Sequence, residues 1–381
     1  MGKRTNGDGS FRKRKNGLWE ARYYNPVDGK QHSIYGETQR EVKDKLKERL
    51  FDIEETKDLV NEDMFVSKWF EIWLAFYTSN IKPSTKDVYK CLIRSRIVPE
   101  IGDYTIKQLK TDHLQHFYVQ MLNDNLSPKT IKNVHGIIHK AMEQAVKLHY
   151  VKENVSKACI LPKVERRSVH PLDETEVADF IREIRNDKYE TIYLVALFTG
   201  MRQGEVLGLT WSSIDFEKNI IVLKNQLIRS REGAYYYFGS LKNGKTRTIY
   251  MSNYVANLLK ECKKLQRQNR QKAGKAWVKK GGLWDDLVFT TETGENLNHH
   301  SVYKHFKLIV KRMGIEDVRF HDLRHTFAVI SLQNGDDIKT VQEALGHHTS
   351  SFTLQVYAHA TDRMRQTSAK RMDTFIQSMV F

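Results

Sequence analysis

Residues 158–174, ACILPKVERRSVHPLDE, interrupt the periodicity of the chain: two prolines and two arginines stand where neither a helical nor an alternating apolar pattern continues. Proline lacks a backbone N–H and restrains the residue before it, so regular structure does not run easily through such a stretch. It reads as an exposed linker. A chain of 381 residues divided there is expected to hold two or three domains rather than one core.

The segments on either side differ in period. In residues 10–57, SFRKRK, LWEARYY and KQHSIYG read as three short strands joined by the turn sequences Asn16-Gly17 and NPVDG. Thr38 with Glu41 three residues on marks the start of a helix, and Val42, Leu46, Leu50 and Ile53 are spaced to cover one face of the small sheet. The other face is expected to carry Arg12, Arg14 and Arg22 beside Tyr23 and Trp19. That face fits either a solvated surface or a strand platform for the major groove of DNA.

Residues 62–160 carry no strand signal and read as all-helical. FVSKWFEIWLAFY places Phe65, Trp69, Ile72 and Trp73 on one stripe, and SPKTIKNVHGIIHKAMEQAV (127–146) is a helix capped by Ser127 with Lys129 and Lys132 on its exposed side. From 174 onward a mixed α/β domain is expected, mostly helical, with NIIVLK (219–224) in a small antiparallel sheet. The expected division is 1–60, 61–162, a linker at 163–173, and 174–381.

Charge narrows the partner. Lys and Arg number 62 against 46 Asp and Glu, a net +16, which favours a polyanion. The N-terminus has no apolar run of signal-peptide type, no stretch approaches the length of a membrane span, and the three cysteines, Cys91, Cys159 and Cys262, form no CxxC pair. These features point to a reduced, cytosolic protein whose polyanion is nucleic acid rather than lipid, with no membrane role and no zinc knuckle.

Two strings imitate other chemistries. GSLKNGKT (239–246) matches the phosphate-loop pattern GxxxxGK[ST], but that loop needs a strand before it and a helix after it. AYYYF (234–238) and TRTIYM (246–251) both read as strands, and Asn243-Gly244 is a strong hairpin signal, so a hairpin with Lys242 and Lys245 at its tip is expected. HDLRH (321–325) imitates a zinc-protease helix, but such a site needs a third protein ligand, and Asp in the Glu position is a shorter, misplaced base. His321 and Arg324, at i and i+3, instead suit a phosphate, which a guanidinium grips with two N–H groups.

Two more motifs share that bias. In TGMRQGEVLGLTW (199–211), Thr199-Gly200 ends one helix and Arg202 opens the next, where a cation opposes the helix dipole and an anion would be welcome. Glu205, one turn on, can hold its guanidinium. In LGHHTSSFTLQVYAHA (345–360) a helix should stop at Gly346 and present His347, with Tyr357 ten residues later.

Arg202, Lys242, His321, Arg324, His347 and Tyr357 stand in the order and approximate spacing of the tyrosine recombinases, and residues 174–365 resemble that phage-integrase family. The helical segment resembles the family's core-site-binding domain, and residues 10–57 its arm-binding domain in integrases of temperate phages and conjugative transposons. The resemblance implies a site-specific recombinase that integrates or excises a mobile element without ATP, metal or other cofactor. Tyr357 would attack a DNA phosphate to form a 3′-phosphotyrosyl bond. Arg202, Arg324 and His347 would bind its non-bridging oxygens, His321 would act as base or further phosphate contact, and Lys242 would protonate the departing 5′ oxygen.

The family's hairpin commonly has a Lys-Thr pair and a longer turn. Here Asn243 follows Lys242, so Lys242 is preferred to Lys245 but not fixed. The implied partners are core and arm sites on double-stranded DNA and a homo-tetramer, with a DNA-bending accessory protein and an excision factor as optional additions; the expected compartment is the bacterial cytosol. A type IB topoisomerase and a non-catalytic DNA-binding regulator are the alternatives.

Overall fold

The computed structural model describes residues 10–14, 17–25, 30–58, 64–165, 170–230, 235–241, 244–346, 369 and 372–379. The chain folds as two compact units that part between Arg166 and Arg167, inside the proline-bearing stretch. Its architecture is multidomain and mostly helical, with small antiparallel sheets.

In the first unit, β1 (Ser10–Lys13), β2 (Trp19–Asn25) and β3 (Lys30–Gly36) pair antiparallel in sequence order, and α1 (Gln39–Asp58) follows. The Thr38 hydroxyl accepts the Glu41 N–H at 3.1 Å, the cap expected from the sequence. Val42 and Leu46 pack with Ala21 and Tyr23 of the sheet, and Phe11, Trp19, Ile34 and Leu50 flank them. The side chain of Ile53 lies outside the described set.

One sequence expectation fails here. Tyr23 and Trp19 do not stand beside the arginines; they face α1, and Tyr23 is buried. Neighbouring residues of a strand point to opposite faces, so Arg22 and Tyr23 cannot share one. The arginine face carries Tyr24 and Tyr35 as its exposed aromatics. At its centre the fully buried Glu20 carboxylate accepts from Arg12 Nε (2.5 Å), Arg14 Nε and Nη2 (both 3.0 Å), Arg22 Nε (3.2 Å), Ser33 (2.9 Å) and Tyr35 (3.3 Å). The bond from Arg14 is the chief reason its pKa falls far below the usual carboxylate range.

The rest of this unit is α2 (Val66–Phe76), α3 (Pro83–Leu92), a π-helical turn (Ile93–Ile97), α4 (Val98–Ile101), α5 (Thr111–Asn123) and α6 (Pro128–Lys147). Trp69, Phe70 and Trp73 enter its core with Leu114, Ile131, Val134 and Ile138, and the Trp69 indole N–H donates to the Ala141 carbonyl at 3.2 Å. Phe65, expected on the buried stripe, is instead 48% exposed, because it precedes the helix and pairs with Thr105 as an isolated bridge. Ser127 caps α6 by accepting the Thr130 N–H at 3.2 Å, and Lys129 and Lys132 are exposed on its first turns.

The second unit contains α7 (Glu174–Glu183), α8 (Glu190–Thr199), α9 (Gln203–Leu207), β4 (Ile214–Asp215), β5 (Ile220–Leu223), β6 (Asn225–Arg229), β7 (Tyr236–Ser240), β8 (Arg247–Tyr250), α10 (Asn253–Ala273), α11 (His299–Arg312), α12 (Asp322–Gln333) and α13 (Ile338–Leu345). Its central helix α8 is buried almost all round, from Ile192 to Leu197, within a core shared with Phe180, Leu259, Phe306 and Leu323.

Both strands flanking GSLKNGKT exist, but they do not pair with each other. β7 pairs with β6 and β8 with β5, so the expected hairpin between them does not form. Between the pairs Leu223–Arg247 and Asn225–Ser240, one residue lies on the outgoing chain and six, 241–246, on the return. The return strand thus carries an excess of chain at this point. Gly244, at φ +68°, closes a turn by donating to the Leu241 carbonyl at 2.9 Å. A strand follows Thr246 rather than a helix, which excludes the phosphate loop.

Residues 372–379 are helical and leave Met372, Phe375, Ile376 and Met379 exposed. No helix among the described residues is long and apolar enough to cross a membrane.

Candidate active site

The site begins where α8 ends. Gly200 takes the left-handed conformation (φ +63°), and a Cβ there would lie 2.6 Å from Phe327 Cδ1 and 2.7 Å from Leu345 Cδ2. Only glycine satisfies both conditions. The reversal places Arg202 immediately before α9, whose first turn carries Glu205.

Glu205 is 1% exposed, and two guanidiniums share it. Its Oε1 accepts from Arg202 Nη1 at 2.8 Å and from Arg247 Nη1 at 3.0 Å; its Oε2 accepts from the Arg202 backbone N–H at 2.8 Å and from Arg247 Nη2 at 2.6 Å. Burial alone would raise the Glu205 pKa, but the bonds and charges of Arg247 and then Arg202 overcome it and hold the carboxyl at about 2. Arg247 also donates through Nε to the Ala344 carbonyl at 2.9 Å.

Arg324 is 1% exposed on α12. Its Nη1 donates to the Gly200 carbonyl at 2.6 Å and its Nη2 to the Leu345 carbonyl, so it ties the end of α8 to the end of α13. Both acceptors are carbonyls left over at helix ends. Arg324 Nε is buried and has no hydrogen-bond partner among the described residues. Burial and then the charge of Arg202 press against its positive form, with Glu205 opposing them. A buried guanidinium with an unused donor, next to a second guanidinium, is a place where an anion would be stabilised.

His321 precedes α12, and its ring meets the buried His325 edge-on at 4.9 Å. His321 keeps an exposed edge although protein crowds its ring. That crowding, then the charges of Arg324 and Arg202, push its pKa well below the imidazole range, so it is neutral at pH 7. His325 is lowered to about 4, chiefly by burial. Asp322 accepts the Arg319 N–H at 2.8 Å and both ends of its guanidinium at 3.2 Å, an internal brace rather than a base. No group of three or more His, Cys, Asp or Glu side chains among the described residues could hold a metal ion.

Arg202, His321 and Arg324 thus come together, with Glu205 holding Arg202 as the sequence suggested. Lys242, His347 and Tyr357 lie outside the described residues; Leu241 and Gly346 are their nearest described chain neighbours, and Lys245 is exposed beside Gly244. Arg247 was missed. A signal existed: alternation along TRTIY puts Arg247 on the same face as the buried Ile249, an inward position that a charge occupies only when paired.

Comparison with known proteins bears on the whole arrangement. A family model described as the phage integrase family matches residues 170–364, and one described as the phage integrase N-terminal SAM-like domain matches residues 65–122. A "Tyrosine recombinase XerC-like" protein of Caldanaerobacter subterraneus subsp. tengcongensis is 29% identical over 363 residues, covering 90% of this chain and 92% of the relative. A structure of the Tn1549 transposon integrase with transposon right-end DNA superposes with a TM-score of 0.68 at 24% identity, covering 81% of this chain and 100% of that one. A lambda integrase tetramer bound to a Holliday junction gives 0.58 at 17% identity, covering 95% and 97%. The two structural likenesses speak for the fold.

Proposed function

The chain belongs to the phage integrase family and is a site-specific DNA recombinase, and from that premise we propose how its residues divide the work. The observation that carries the reading is the pairing of Arg202 and Arg247 with one carboxylate, Glu205, close to the buried Arg324, which leaves the buried site with surplus positive charge. A scissile phosphate supplies the missing negative charge. Arg202 and Arg324 contact its non-bridging oxygens, and His347 adds a hydrogen bond.

The Tyr357 oxygen attacks phosphorus as the P–O5′ bond breaks, leaving a 3′-phosphotyrosyl linkage and a free 5′ hydroxyl. Neutral His321 accepts the tyrosine proton or contacts the phosphate, and Lys242 donates a proton to the leaving oxygen. Attack by a second 5′ hydroxyl reverses these steps on a new partner strand. The bond energy stays in the linkage, so no nucleotide is consumed.

Three modules serve this chemistry: residues 1–60 read arm sites through Arg12, Arg14 and Arg22; residues 61–162 grip the core site with Lys129 and Lys132; and residues 174–381 cut. The lambda integrase tetramer on a Holliday junction supports a homo-tetramer on two duplexes, with the exposed apolar face of 372–379 as a subunit contact. A chain ending at residue 363 that still paired two duplexes would refute that contact. The expected compartment is the bacterial cytosol, where the DNA lies.

Sequencing the DNA that flanks the gene gives the repeats that mark the core site. A nicked duplex built on that repeat should trap the wild-type chain covalently, and Tyr357→Phe should trap none. Wild type without adduct, or an undiminished adduct with Tyr357→Phe, refutes the assignment. Supercoil relaxation without any joined recombinant would turn the reading toward a topoisomerase.

A further inference from the structure

We propose that Arg247 is a positioning residue of the cleavage centre: through Glu205 it fixes Arg202, and through the Ala344 carbonyl it fixes the helix end that Arg324 also grips. The inference rests on the reading of Arg202 and Arg324 as phosphate ligands.

The geometry divides its three donor nitrogens between two tasks. Nη1 and Nη2 clasp the two oxygens of Glu205 at 3.0 and 2.6 Å, the fork-on-carboxylate arrangement that sets the plane and rotation of a carboxylate. The same two oxygens accept Arg202 Nη1 and the Arg202 backbone N–H. Glu205 therefore cannot turn without moving Arg202, and Arg247 is what prevents it from turning. The third donor, Nε, caps Ala344 at 2.9 Å, one residue before the Leu345 carbonyl that accepts from Arg324. The stem of Arg247 lies against Gly346, where a Cβ would stand 2.9 Å from its Cδ and where φ is +62°. Helix α13 thus ends on two guanidiniums, and β8 and α12 are joined through that end. The phosphate would touch Arg202 and Arg324; Arg247, 10% exposed and fully engaged, acts through them.

Lysine cannot replace this function, because an ammonium is a point charge that lacks the planar fork. Alanine removes all three hydrogen-bonding arms and leaves the buried carboxylate to Arg202 alone. Catalytic groups displaced by about an ångström lose on the order of a hundredfold in rate.

The test uses the full chain and the nicked core-site duplex. Single-turnover cleavage at saturating DNA, DNA affinity and thermal midpoint are measured for wild type, Arg247→Ala and Arg247→Lys. A second substrate carries a methyl group in place of one non-bridging oxygen of the scissile phosphate, which removes the negative charge that the guanidiniums stabilise.

Arg247→Ala is expected to cleave the ordinary duplex about a hundredfold more slowly while binding it within about threefold of wild type, and Arg247→Lys to fall between. On the methyl-bearing substrate both variants should approach the wild-type rate, since misplaced charge matters less there. Cleavage by Arg247→Ala within about threefold of wild type on the ordinary duplex would overturn the proposal. So would an equal deficit on both substrates, or a deficit matched by weakened DNA affinity, since each marks a merely structural role. If Arg247→Ala does not fold, Arg247→Lys alone decides by the same comparison of substrates. Failure of the underlying reading looks different: wild type itself would then form no adduct on either duplex.

Discussion

A single carboxylate sets the electrostatics of the site. Glu205 stands between Arg202 and Arg247 and is the charge that lets Arg324 lie buried near them. Removing one partner of a buried ionic network strands the others, so Glu205→Ala should lower unfolding free energy in urea by about 3–5 kcal/mol. The pH dependence follows from the sign of each shift. Glu205 is depressed from 4.5 to about 2, so its stabilisation is complete above pH 4.5 and is lost as pH falls toward 2. His325 is neutral in the fold, lowered from 6.5 to about 4, so its share is complete above pH 6.5 and is lost between 6.5 and 4. Urea titrations at descending pH should therefore show two successive losses, and Glu205→Gln should shrink the more acidic one, to which the depressed Glu20 carboxyl also contributes, and leave the other unchanged. A single loss below pH 4 in the wild-type protein would contradict the reading of His325 and His321 as neutral imidazoles in the fold. At this scale the sequence was informative where chemistry is local: Glu205 one turn from Arg202 was readable. Arg247, 42 residues away from its carboxylate, was not.

Among elements, the ends of helices matter more than their middles. α8 stops at Gly200 and α13 at Gly346, both left-handed, and the carbonyls exposed there are the acceptors of Arg324 and Arg247. Gly200→Ala would force a Cβ to within 2.6 Å of Phe327 while straining φ at +63°. It should cost on the order of 1–3 kcal/mol of stability. It should also slow cleavage, because the Gly200 carbonyl is an anchor of Arg324. Unaltered melting and cleavage of the Gly200→Ala chain would show that the α8 end does not position the site. Both glycines were legible in the sequence, since helix stops follow local backbone preference. The strand pairing was not. Asn243-Gly244 does mark a turn, but β7 finds β6 and β8 finds β5, and a local turn signal does not say which strands pair across it.

The whole molecule carries its charge unevenly. Residues 260–280 hold nine Lys or Arg against one Glu, half of the net +16. Lys260, Lys264, Arg267 and Arg270 along α10 are exposed. If they lie near duplex backbone, replacing these four with Gln should flatten the plot of log affinity against log salt by about 0.9 for each phosphate they neutralise. An unchanged slope would mark them as a solvated face. The amino-acid sequence by itself determined the succession of strand-rich, all-helical and mixed segments, the caps at Ser127, Gly200 and Gly346, and the ordered motifs that identify the family. These depend on period, local backbone preference and side-chain type, which act over a few residues. Tertiary structure alone decided that Tyr23 turns inward, that the strands on either side of Lys242 pair elsewhere instead of forming one hairpin, and that Arg247 reaches Glu205 and the Ala344 carbonyl. Those outcomes depend on register and burial between segments far apart in sequence, where the side chain that completes a pairing is found only after the chain has folded.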